Sequence, residues 1–171
     1  LGPAYVAKAK PDGYTLGMAS INMALAPLRY TDLPFDPIKS FEHISVLNKR
    51  ANALAVHSSL PIRNIKEYIA YSKANPEVLN FSASGEGSTD HIAGVWLMSA
   101  TNTKLNFIHY KNSNAAYTDL LAGRVHMVSI VYSLEGGYPT LVKSGKLRNI
   151  GTAALQRSPM APDVPTLHEQ G

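Results

Sequence analysis

From residue 79 to 153 the chain alternates short apolar runs with helix-like stretches across short polar loops, and this restricts its fold more than any other feature. Residues 79–82 (LNFS), 105–108 (LNFI), 126–131 and 147–153 read as strands. Between them, 89–100, 114–121 and 139–143 read as helices, the first almost wholly apolar. Strands that alternate with helices through short loops imply an α/β sheet with mostly parallel strands. In such sheets, ligands sit beyond the carboxyl ends of the strands. That puts 20–22, 82–89 and 109–113 on candidate binding loops.

The N-terminal part gives further elements. Residues 4–10 read as the end of a helix, stopped by Lys10-Pro11-Asp12-Gly13. Residues 15–19 (TLGMA), 42–47 and 51–57 (ANALAVH) read as strands, and 22–28 as a short helix. Asn64 is a candidate N-cap with Glu67 at the capping-box spacing. Ile65, Tyr68, Ile69 and Ser72 then share one helical face, and Asn75-Pro76 ends that helix.

The 171 residues, 45% of them hydrophobic, suffice to bury a core in one domain or two small lobes. Without cysteine there is no disulfide, thiolate nucleophile or cysteine-held zinc. No apolar run nears the roughly 18 residues of a transmembrane helix. No signal-peptide pattern opens the chain, so any export signal is expected to have been removed already. The net charge of +4 suits an anionic ligand, but the basic residues are scattered, which argues against a nucleic-acid partner.

The most informative loop is SASGEGST, residues 82–89, between a strand and a helix. Gly85 and Gly87 permit positive φ and close backbone approach. Consecutive amides and the helix N-terminus favour an anion there, and the hydroxyls of Ser84, Ser88 and Thr89 can donate to it. A plain Ser/Thr-capped turn explains the same residues, and both readings stay open. The loop matches neither a phosphate-binding Walker pattern, a dinucleotide fingerprint nor a nucleophile elbow, so no cofactor is expected. In the segment 110–113, Ser113 can cap the next helix, Lys111 can pair with an anion or stay solvated, and Tyr110 can line a cleft or pack. Six histidines show no i, i+4 pair, so no metal site is expected. His91 reads as a hydrogen-bonded core histidine, and Asp90 suits a helix N-terminus.

Several segments together resemble one family in order along nearly the whole chain. They are AYVAKAKPDGYTL (4–16), LPFDPIKSFEHIS (33–45), SGEGSTDHIAG (84–94), FIHYKNSNAAYTDLLAGRV (107–125), SGKLRNIGTA (144–153) and SPMAPDVPTLHEQG (158–171). They resemble the Bug-type receptors, periplasmic solute-binding proteins of tripartite tricarboxylate transporters. The resemblance implies a type II periplasmic-binding-protein fold, two α/β lobes with a carboxylate ligand between them. It implies a partial first lobe (1–46), a complete second lobe (47–153) and a return into the first lobe (154–171). It implies ligand contacts from Gly85, Gly87, Ser88 and Thr89, with His91 matching the family's usual histidine and Ser20 and Asn22 on the opposing loop. Tyr110, Lys111 and Ser113 match the family's Tyr-Lys-Gly-Ser segment. A membrane permease is the implied partner, and no catalytic residue is expected.

Three departures qualify this. Asn112 and His109 stand where the family has Gly and Pro. Near Ile130 an acidic residue of some members is missing, which leans against a ligand with an amine, although the region of Glu135-Gly136-Gly137 looks longer than usual. The first lobe lacks strands, so either its remainder is absent from this sequence, or a partner chain covers its exposed faces, or the sheet is reorganised. Two alternatives remain: a ligand sensor or non-transporting remnant of the family, and a hydrolase or transferase with Ser84 or Ser88 as nucleophile and His91 or His109 as base.

Overall fold

The computed structural model describes residues 2–48, 51–131, 137–159 and 161–171. The chain divides into two units, Leu1–Asn48 and Lys49–Gly171.

The first unit holds helix α1 (Gly2–Lys8), helix α2 (Ile21–Leu25) and a 3-10 turn (Ala26–Leu28). Asp12 Oδ1 accepts the Tyr14 amide at 3.1 Å, and Gly13 takes φ +82°, so the expected stop after α1 is a tight Asp-Gly turn. Asp36 Oδ1 accepts the amides of Ile38 (2.8 Å) and Lys39 (3.0 Å), closing a turn over which Phe35 and Phe41 meet edge-on. Residues 15–19 and 42–47 form no strand, which corrects both expectations. A strand needs a partner for its backbone groups, and none pairs with these segments among the described residues. None of the unit's described residues is buried. Its large side chains line an open groove of about 860 Å³, with Met23, Phe35 and Ile38 among its walls.

The second unit is a five-stranded sheet between two helical layers. Its strands are β1 (Asn52–His57), β2 (Asn80–Ala83), β3 (Asn106–His109), β4 (Met127–Val131) and β5 (Leu147–Thr152), in the order β3-β2-β4-β1-β5. β2 runs parallel to β3 and β4, while β1 is antiparallel to β4 and β5. The sheet is therefore mixed: four strands share a direction and β1 runs against them near the centre. The helices are α3 (Ile65–Ala74), α4 (Thr89–Thr101), α5 (Ser113–Leu121) and α6 (Gly137–Lys143).

The two-residue period of a strand sorts the core. Leu54 and Val56 of β1 join Phe81, Met127 and Ile150 against Ile65 and Tyr68 of α3 and Leu97 of α4. Ala53 and Ala55 join Val128 and Leu147 on the other face, against Leu120 of α5, with Leu141 and Val142 of α6 beside them. The register with β1 slips at Ile150, a bulge that puts one extra residue on β5.

Asn64 caps α3 as expected, accepting the Glu67 amide at 2.9 Å. The Glu67 carboxylate reaches one residue further back, to the Arg63 amide at 2.7 Å. Ile65, Tyr68 and Ser72 are buried, as the periodicity predicts. The closing residues, read from sequence as returning to a first lobe, are held within this unit. Thr166 bridges Thr152, and Gln170 accepts the Ile65 amide while donating to the carbonyls of Ile150 and Thr166. Gly151 makes room for them: a Cβ there would lie 2.6 Å from Leu167 Cδ2. Among the described residues, no helix is long and apolar enough to cross a membrane.

Candidate functional site

Because β2, β3 and β4 are parallel, their carboxyl ends reach the same edge of the sheet, where β1 begins. Ala83 is in register with His109, and the Tyr110 amide donates to the Ala83 carbonyl at 2.8 Å. The loop after β2 (84–88) and the loop after β3 (110–112) therefore start side by side. Of the residues singled out from sequence, Ser84, Gly85, Gly87, Ser88, Thr89, Tyr110, Lys111 and Ser113 lie on this edge. Ser20 and Asn22 belong to the other unit, Ser20 as the extended residue before α2 and Asn22 within it.

The glycine-rich loop is internally tied. Gly85 takes φ +148° and Gly87 φ +66°, conformations that other residues rarely adopt. Ser88 donates to the Gly85 carbonyl at 2.6 Å and caps α4, accepting the His91 amide at 3.4 Å. Asp90 Oδ2 accepts both the amide (2.7 Å) and the hydroxyl (2.8 Å) of Ser84. His91 Nδ1 accepts the Gly87 amide at 3.0 Å. The Ser84 hydroxyl thus faces a carboxylate rather than an imidazole. The open end of the thirteen-residue α4 adds its partial positive charge to the loop.

The second loop is tied to α5. The Tyr110 hydroxyl donates to Asp119 Oδ2 at 2.7 Å, and Arg124 grips Asp119 Oδ1 through Nε (2.8 Å) and Nη2 (2.5 Å). Burial, and then the Asp119 hydrogen bond, push the Tyr110 phenol up to about 12. The Tyr110 bond, and then Arg124, hold the Asp119 carboxyl below its ordinary value. Tyr110 therefore anchors its loop through its hydroxyl. Asn112, not Ser113, caps α5: its extended backbone lets Oδ1 accept the Ala115 amide at 2.9 Å, while Ser113 is already the first helical residue. Lys111 is exposed and makes no ion pair among the described residues.

Three aromatic rings stand behind the glycine-rich loop. His91 meets Phe107 edge-on at 4.5 Å between centroids, and His109 lies 5.5 Å from His91. Phe107 meets the fully buried Phe81 edge-on at 5.7 Å. Gly94 admits this stack, since a Cβ there would fall 2.5 Å from Phe107 Cε1. Asp90, Asp119 and Gly94 were not singled out as site residues from sequence. Ile130 packs against the Leu120 side of the sheet, and Glu135 and Gly136 lie outside the described residues. No group of three His, Asp or Glu able to hold a metal occurs among the described residues.

A mixed sheet between helical layers, with a glycine-rich loop entering a helix at its carboxyl edge, is an α/β lobe of the kind that periplasmic binding proteins have. The comparisons make this specific. The model of the tripartite tricarboxylate transporter family receptors matches residues 1–171, and the chain belongs to that family. A UPF0065 protein from the gbd 5' region of Cupriavidus necator is 35% identical over 162 residues, 94% of this chain and 48% of the relative. The periplasmic binding protein BugD matches 99% of this chain and 56% of its own, with 29% identity and a TM-score of 0.73. A protein of R. palustris solved with adipate matches over the same shares, with 29% identity and a TM-score of 0.78. The chain spans about half the length of the curated relatives it matches.

Proposed function

We propose that this chain is part of an extracytoplasmic solute-binding receptor whose second unit holds a small carboxylate. The observation that carries the reading is the loop 84–88, with its two glycines at positive φ, running into α4 beside Lys111 on the carboxyl edge of the sheet. Backbone amides of the loop and of the first turn of α4, the Thr89 hydroxyl and the helix dipole satisfy a carboxylate without a buried counter-ion, while the Ser88 hydroxyl is committed to the Gly85 carbonyl. Lys111 supplies the positive charge. The adipate in the R. palustris relative supports a dicarboxylate as the ligand. The family supports a periplasmic location and delivery to a membrane permease.

Titration calorimetry of the 171-residue chain with adipate, citrate, benzoate and glutamate tests the reading. A dicarboxylate is expected to bind and glutamate to bind less well. At 100 times its dissociation constant the ligand adds about 2.7 kcal/mol of stability, on the order of 5–10 °C in melting temperature. Thr89→Val is expected to weaken binding about tenfold, the loss of one hydrogen bond to a charged group. A chain that binds none of the four overturns the proposal.

A further inference from the structure

We infer that His91 is a positioning residue of the proposed site, acting as a neutral hydrogen-bond acceptor that fixes the glycine-rich loop through the Gly87 amide. The inference rests on the carboxylate-binding reading above and deepens it.

A loop with glycines, here at φ +148° and +66°, has more conformations to lose than a loop of its length without them. Such a loop presents aligned donors only if something external selects one conformation. Two side chains from the first turn of α4 supply that selection. Asp90 holds the start of the loop at Ser84, and His91 holds its far end at Gly87. Both lie in the first turn of α4, two and three residues past the Ser88 cap.

The histidine contact differs from an ordinary packing contact in its chemistry. Its Nδ1 accepts an N–H, so the imidazole carries its proton on Nε2. The ring is itself held: Phe107 meets it edge-on at 4.5 Å, and Phe107 rests on buried Phe81. A continuous line of contact thus runs from the core of the sheet to the amide of Gly87. The Gly94 slot keeps Phe107 close enough to α4 to complete that line. Pre-ordering of this kind strengthens binding without any contact between His91 and the ligand, because the loop's ordering cost is met before the ligand arrives.

The test compares two substitutions in the full 171-residue chain. His91→Asn puts an amide oxygen near the position of Nδ1 and keeps the acceptor. His91→Phe keeps a ring against Phe107 and removes the acceptor. Two readouts are taken: amide hydrogen exchange at Gly87, which needs no ligand, and the affinity for adipate. His91→Phe is expected to raise Gly87 exchange at least tenfold and weaken adipate about tenfold, with His91→Asn within about threefold of the parent in both. Unchanged Gly87 exchange in His91→Phe, or equal losses in both variants, overturns the inference. If the parent binds none of the four carboxylates, the functional reading fails, and Gly87 exchange still decides whether His91 holds the loop.

Discussion

Gly94 is the residue at which packing and site meet. It sits in the middle of α4, where glycine ordinarily costs about 1 kcal/mol relative to alanine. Its absent side chain leaves the slot that Phe107 fills. Gly94→Ala is therefore expected to destabilise the chain by about 1–3 kcal/mol despite its better helix propensity, because Phe107 must move. Urea unfolding reads the stability. A second residue, His126, sets a pH dependence. Its Nδ1 accepts the Asn80 amide at 2.9 Å, and burial followed by the nearby His57 lowers its pKa from the ordinary 6.5. A histidine depressed in the folded state binds protons more readily when unfolded. Its contribution is full above pH 6.5 and is lost as the pH falls through the lower folded value. Melting temperature is expected to fall below that pH, and less steeply in His126→Asn, which keeps an acceptor but does not titrate.

At the scale of elements, caps decide where helices begin. Asn64→Ala removes the acceptor for the Glu67 amide and is expected to cost about 1 kcal/mol, read as a lower urea midpoint. Asp119→Asn loosens both the Tyr110 loop and the Arg124 clamp, so its expected effect is a faster-exchanging Tyr110 amide and weaker adipate binding. These elements differ in how far the sequence reveals them. The cap at Asn64 and the buried stripe Ile65, Tyr68, Ser72 are local patterns, and they read directly. The five strands of the sheet read as apolar runs bounded by turn residues. Residues 15–19 carry the same pattern without pairing, because a strand is completed by another strand and not by its own composition. The reversed direction of β1 was hidden for the same reason. The loop 84–88 was legible from its glycines and serines. Its ties to Asp90 and His91 were not, since they depend on where two adjacent side chains of one helical turn point.

For the whole second unit, acid should act through carboxylates as well as histidine. Tyr110 and then Arg124 lower Asp119 from 3.8, and the Thr166 amide and then Arg157 lower Glu169 from 4.5. Both contributions are present above those values and vanish as pH falls through the lower folded ones. A further acid-induced loss of stability below about pH 4 is therefore expected. The position of β1 carries a further consequence, for how the molecule forms. Asn52 pairs with Val131, and Ala53 with Thr152. The strand nearest the N-terminus of this unit is thus flanked by its last two. During synthesis, its hydrogen-bonding edges have no partner until β4 and then β5 have emerged. Closing such distant pairs is slow, so β1 is expected to join the sheet late, after β2 and β3, which are nearer in the chain, can pair.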